Sequence, residues 1–543
     1  MGFSDSDLMM IENLTSMRGN DNPVSKYHLK SLNECKTIGE FLNQFDERIL
    51  KKLDSDSKKV YRNGMIGSTE WAAMIRYMKS NKSICSLKVK EHSALGLIVE
   101  DPSDSNHAFV FFAGTQKHEW KDNIEGLNES DTTEQQMALA KINGMPYGRV
   151  TVIGHSKGGN KAMYVAILSD KVDRCVSMDG QGFSDLFLRK YKDRISRNAY
   201  KITCYNLSTD FVHPLLYQIP GAKQVYIQPG KDVKSIGENH SPNSVFDYEK
   251  RNGKHVIVKD KNGNPILNIG EEDPSIAMLR DFVSFVMKNA SIKDRDRIIA
   301  FLGPLIQGLF DGTMTKEEII NYLLQHEDDL ALVMAYLLEY MEANNLTIKD
   351  LEKLCETLGF NINEVFAGYI EKKFHIKLTE KKVRIIIGIL LSTKGGRFLA
   401  GLLAALLGGT VGKQIKSWWE KVNNKIKKID SSGGSGNYSS TKRDYSQNAY
   451  NTIIGSITNI AGNSFPNVSS WKGYASEEWY SKINVNGAIQ KINLYGNTMN
   501  SVNLSCIDEV ESVFAKIIGI DLKYSKKIDD IVVGLNAIKE PQE

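Results

Sequence analysis

At 543 residues, 41% of them hydrophobic and 25% charged, the chain has the composition of globular protein and the length for roughly two to four domains. A net charge of +4 is too small to argue for a nucleic-acid partner, and Cys35, Cys85, Cys175, Cys204, Cys355 and Cys506 are too scattered for a zinc site, so they read as buried, reduced thiols. Met1-Gly2-Phe3-Ser4-Asp5-Ser6-Asp7 is acidic and polar, without the basic and apolar regions of a Sec signal, which leaves the cytoplasm or an export route that reads something else.

Residues 1–272 read as α/β. β-rich runs at Ala94 to Val99, Ala108 to Phe112, Val150 to Ile153, Cys175 to Met178, Ile202 to Tyr205 and Gln224 to Ile227 alternate with helical patterns such as Thr69 to Met78 and Thr133 to Ile142. That alternation predicts a largely parallel sheet with helices on both faces. Lys254 to Ile269 follows as a predicted hairpin, turned at Asn262-Gly263.

From 273 to 430 helical periodicity takes over, with starts at Asp273-Pro274, Thr315, Thr347 and Thr379. Ile385 to Thr393 and Phe398 to Gly412 are strongly apolar, but Lys394 and Arg397 interrupt them and neither reaches the roughly 20 residues of a bilayer span. They read as two buried helices joined at Gly395-Gly396, as a membrane-inserting hairpin, or as a partner-binding face. Residues 371–428 hold fourteen Lys or Arg against three Glu and include Trp418-Trp419, which suits an anionic membrane surface or a solvated helix face. A Gly/Ser linker occupies 431–440, and 441–543 reads as a helical hairpin turned at Trp471-Lys472-Gly473.

The chemistry is concentrated at Gly154-His155-Ser156-Lys157-Gly158. This G-x-S-x-G follows the apolar run Arg149 to Ile153 and precedes the helical pattern Lys161 to Leu168, the strand-turn-helix context of a nucleophile elbow. Glycines flank the serine because the turn leaves no room for side chains there. Ser156 is the predicted nucleophile, and it needs a base and an acid downstream. Asp210, after the strand ending near Tyr205, and His240, after the strand Lys223 to Gln228, satisfy that order; Asp179 is the competing acid and His213 the competing base. The oxyanion donors expected are the Lys157 amide, directly after the serine, and Thr115, on the loop after Phe109 to Phe112. No metal or other cofactor is needed for this chemistry, with calcium dependence left open.

Phe112-Ala113-Gly114-Thr115 with Trp120-Lys121-Asp122-Asn123 resembles the F-R-G-T…W-x-D-N stretch of lipase-like α/β-hydrolases related to the class 3 lipases, with Ala113 standing where they have arginine. Gly154 to Ala162 resembles the G-H-S-K-G-G-N-x-A block of their Mbeg-like branch, and the likeness spans roughly residues 60 to 250. It implies an α/β-hydrolase (lipase-like) N-terminal domain, followed here by an all-α region and a helical-hairpin C-terminal module. The Trp471-x-Gly473 turn resembles the WXG-type hairpins of type VII secretion substrates, and the arrangement is similar to type VII-secreted lipase toxins. The two resemblances together imply a serine lipase or phospholipase A acting on bacterial membrane lipids as a secreted antibacterial toxin. They also imply small helical WXG-like partners, an immunity protein and the type VII machinery. The alternatives are a non-enzymatic membrane-disrupting or partner-binding protein on a hydrolase-like scaffold, and a cytoplasmic esterase.

Overall fold

Two short antiparallel ribbons, Val60–Tyr61 (β1) with Ile66–Gly67 (β2) and Tyr248–Arg251 (β10) with Lys254–Ile257 (β11), flank a larger sheet. Its eight strands are Lys88–His92 (β3), Gly96–Glu100 (β4), His107–Phe112 (β5), Arg149–His155 (β6), Val172–Met178 (β7), Ile202–Leu207 (β8), Lys223–Ile227 (β9) and Ile269–Gly270 (β12). The spatial order is β12-β9-β8-β7-β6-β5-β4-β3, parallel from β5 to β9 and antiparallel at both edges. The fold class is therefore α/β with a mostly parallel central sheet.

In this computed structural model the described residues are 2–61, 65–114, 129–231, 236–310, 314–344, 346–358 and 361–374, with helical residues 417, 421, 422, 424 and 425. Thr115, Trp120 to Asn123, Thr379, the apolar pieces within 385–412, Trp418-Trp419, the 431–440 linker and the 441–543 hairpin lie outside the described residues.

Alternation along each strand divides the core between the two faces of the sheet. On β5, Phe109 and Phe111 pack with Leu8, Met9, Trp71 and Met74 from N-terminal helices, whereas Ala108, Val110 and Phe112 pack with Ala162, Val165 and Ala166. Helices thus cover both faces, which is why the central strands read as continuous apolar runs. The helices of the first face, among them Asp5–Glu12 and Ser68–Ser80, were only partly legible in the sequence. Asp5–Glu12 is capped by Ser4, whose hydroxyl accepts from the Asp7 amide at 3.1 Å. The acidic residues of this terminus are structural: Asp5 pairs with Arg174 on β7 and accepts the Tyr205 hydroxyl at 2.6 Å, and Asp7 accepts that of Tyr77 at 2.6 Å.

Beyond β9 the hairpin differs from expectation. The β10–β11 turn is Asn252-Gly253, with φ of 49° and 77°, the pair of positive angles a tight type I′ turn needs. The Gly263 turn, with φ 85°, closes a separate loop bridged at Lys259 and Pro265. The chain then reaches β12, which adds to the sheet edge beside β9.

His92, at the end of β3, is buried, with Nε2 3.4 Å from the Thr15 carbonyl. Burial lowers its imidazole from the ordinary 6.5 to about 4, against the weaker pull of the Thr15 carbonyl. The unfolded chain binds the proton first as pH falls, so the folded state loses stability between about pH 6.5 and 4, by about 3 kcal/mol over the whole window. His92→Gln should flatten the dependence of the melting temperature on pH across that window; a slope unchanged from the parent would contradict the assignment.

The chain divides into two compact units, the first built mainly from residues 1–287. The second contains the helices Lys316–Gln325, Glu327–Ala343 and Ile362–Phe374, with parts of Ile292–Phe310 and Ile348–Thr357. Two of the expected starts are capped as their sequence implies. Thr315 and Glu318 form a capping box, and the Thr347 amide and hydroxyl both donate to Asp350 at 2.7 Å. Among the described residues no helix is long and apolar enough to cross a membrane.

Candidate functional site

The parallel strands end level with one another, because Phe112 pairs with Gly154, His155 with Met178, and Met178 with Tyr205. Their carboxyl ends form one rim, and the candidate residues stand on it. Ser156 follows β6 with φ 58° and ψ −124°, and the helix Lys157–Leu168 begins at the next residue. Those angles belong to the first central position of a type II′ turn, which glycine normally fills. The backbone around the serine leaves no alternative to glycine. A Cβ on Gly154 would lie 2.2 Å from the Gly158 carbonyl, and one on Gly158 would lie 2.0 Å from the Phe112 carbonyl. The second contact, with the Ala113 carbonyl carbon 3.0 Å away, sets the end of β5 against the first turn of the helix. N–H groups of a helix's first turn point out of its N-terminus, and Lys157 is the first residue of that turn.

Asn160, two residues beyond the second glycine, locks the next loop. Its Nδ2 donates to the carbonyls of Gln181 and Gly182, both at 3.0 Å, while its Oδ1 accepts from Gln135 at 2.7 Å.

Asp210 and His240 are brought together. His240 Nδ1 donates to Asp210 Oδ2 at 2.6 Å, and both side chains are buried. The other carboxylate oxygen accepts from the amides of Val212 at 2.7 Å and His213 at 3.3 Å. The His240 ring lies 4.6 Å, centroid to centroid, from that of His155, the residue before Ser156, so the His240 loop reaches the end of β6. Burial pushes the Asp210 carboxyl up, but the neighbouring His240 and His213 outweigh it and hold Asp210 well below the usual carboxylate range.

Asp179, the competing acid, also stands on the rim, at the end of β7 with φ 46°. Its Oδ1 accepts from the Leu207 amide at 2.6 Å. Burial, and then the Asp210 charge, push its carboxyl up. The two carboxyls are therefore driven in opposite directions, Asp210, bonded to His240, downward and Asp179 upward. His213, the competing base, sits behind Asp210 instead of across from it, with Nδ1 3.8 Å from both Asp179 Oδ1 and Asp210 Oδ1. Its Nε2 donates to Glu272 at 3.3 Å. Burial opposes its charge, yet Asp179, Asp210 and Glu272 outweigh burial and raise it well above the ordinary histidine range.

Asp179, Asp210 and His213 present one ligand atom each within 4.8 Å of one another, the spacing of a metal site. Each of the three also has a protein partner: Asp210 Oδ2 meets His240 Nδ1, Asp179 Oδ1 the Leu207 amide, and His213 Nε2 Glu272.

Sequence reasoning missed the supports of this rim. Thr209 and Asn239, each next to a site residue, clasp each other: Thr209 Oγ1 donates to Asn239 Oδ1 at 2.8 Å and Asn239 Nδ2 to the Thr209 carbonyl at 2.6 Å. Glu70, from the Ser68–Ser80 helix, accepts from Asn243 at 2.6 Å and from Lys231 at 2.8 Å, anchoring the His240 loop from outside. Adjacency to Asp210 and His240 is the only sequence signal for Thr209 and Asn239, and Glu70 carries none.

The Mbeg1-like family model matches residues 85–207, a span that holds Ser156 and Asp179 and stops before Asp210 and His240. No curated protein and no solved structure matches the chain. Over residues 85–207 the chain is thus similar to the Mbeg1-like family.

Proposed function

We propose that the chain is a serine carboxylester hydrolase of the lipase or phospholipase A type, with Ser156 as nucleophile, His240 as general base and acid, and Asp210 as the carboxylate that orients it. The observation that carries this reading is the buried 2.6 Å pair of His240 and Asp210 on the rim where Ser156 holds a glycine-like backbone. On this reading His240 Nε2 takes the Ser156 proton as Oγ attacks the acyl carbonyl, then returns it to the leaving alcohol. The Lys157 amide, with Thr115, receives the oxyanion. Water attacks the acyl-enzyme by the same route and releases the fatty acid.

The lipid class, the export route and the partners belong to the same proposal: bacterial membrane lipids as substrate, type VII secretion through the 441–543 module, and small helical WXG-like proteins with an immunity protein as partners. The support is the resemblance of the elbow block and of the Trp471-x-Gly473 turn. Incubating the full chain with mixed bacterial phospholipids and identifying products by mass spectrometry tests it. Free fatty acid with lysolipid is the expected result. Intact lipids, with short soluble esters also intact, would overturn it.

A further inference from the structure

Behind the Asp210–His240 pair lies a second buried charge cluster. His213 is 1% exposed and Asp179 and Asp210 are fully buried, so water does little to screen their charges from one another. The imidazole Nδ1 stands 3.8 Å from a carboxylate oxygen of each aspartate, and its Nε2 is bonded to Glu272, which Arg280 pairs from the helix Pro274–Asn289. Tyr226 of β9 closes the remaining side, its ring centroid 5.9 Å from that of His213. Two carboxylates buried side by side repel, and a cation lodged between them removes that repulsion. Asp210 needs both of its oxygens oriented, one toward His240 and one away from it. The backbone amides of Val212 and His213 fix the second oxygen, and the His213 ring lies on that same side.

We propose that His213 is a positioning residue for ester hydrolysis: a buried imidazolium that pairs with Asp179 and holds the Asp210 carboxylate aimed at His240. The proposal rests on the esterase reading above. It assigns to Asp179 the role of a charge partner for His213, not that of an alternative acid.

The test is a double-mutant cycle of charge removal read through the pH profile of kcat/KM. His213→Gln removes a positive charge near His240, so the protonated form of His240 gains and the acidic limb should move up by about one pH unit at an effective dielectric near 20. Turnover should fall about tenfold with KM within about twofold, as expected when orientation and not binding is lost. Asp179→Asn removes a negative charge and should move the limb the other way. The double variant should return it toward the parent, a cancellation that a purely structural loss would not produce. A folded His213→Gln protein whose acidic limb stays in place or moves down would overturn the proposal. Should His213→Gln fail to fold, the Asp179→Asn limb decides, since no downward shift there overturns it equally.

Imidazole nitrogen NMR on the full chain gives a reading independent of turnover, with His213 expected to remain doubly protonated at pH 8. A neutral His213 signal there would overturn the proposal. A parent protein without Ser156-dependent ester hydrolysis would instead sink the esterase reading, and the NMR signal separates that failure from a wrong charge on His213.

Discussion

Alanine at Ser156 is expected to lower ester hydrolysis by about ten-thousandfold or more, while the melting temperature moves by no more than about 2 °C. Removing a nucleophile leaves only binding and oxyanion stabilisation. The hydroxyl does not cap the helix that follows, so its loss should leave the fold in place. The backbone supplies a sharper diagnostic. With φ 58° and ψ −124°, residue 156 is held where a Cβ is strained, at a cost of roughly 1–3 kcal/mol. Ser156→Gly should therefore be as inactive as Ser156→Ala and melt at a higher temperature than it. A glycine variant that melts lower would mean that position 156 carries no stored strain, and an active alanine variant would remove the nucleophile from the account. Kinetics with a soluble ester and thermal melts of the three proteins settle both.

The second large effect is expected at Asp210. Asn in its place can keep one oxygen on the Val212 and His213 amides, but its NH2 then faces His240 Nδ1. The imidazole must accept there and carry its proton on Nε2, where it can no longer take one from serine. Hydrolysis should fall about a thousandfold or more, chiefly in kcat. Asp179→Asn, which leaves the His240 bond untouched, should cost no more than about tenfold. Equal losses at the two positions, or a larger one at Asp179, would reverse their roles.

Much of this rim could be read from the chain. Ser156 was legible because strand, glycine and helix follow one another within a dozen residues, and the close approaches of Gly154 and Gly158 explain why that spacing tolerates nothing larger. The strands were legible because burial on both faces makes them continuous apolar runs. The sequence prefers Asp210 to Asp179 by chain order alone, since each follows a strand that ends on the same rim; a single hydrogen bond and opposite charge environments distinguish them.

Other features left little trace. Glu70 and Asn243 meet across 173 positions, and no periodicity in either segment marks the contact. The sequence points to the wrong hairpin turn because two Asn-Gly pairs, at 252 and 262, carry the same local signal. Pairing of Glu249 with Val256, and not the turn residues, decides which one joins two strands. In the sequence His213 offers only a spare base, because the carboxylates its ring meets, Asp179 and Glu272, follow other strands.

The central claim is that the Ser156 hydroxyl is activated by His240. Treating the full chain with a fluorophosphonate, which captures a serine only when a base has raised its nucleophilicity, and mapping the adduct by peptide mass spectrometry tests it directly. A single phosphonyl adduct on Ser156, lost in His240→Ala and kept in Asp179→Asn, is the result this account predicts. An adduct on another residue, or none while ester hydrolysis continues, would contradict it.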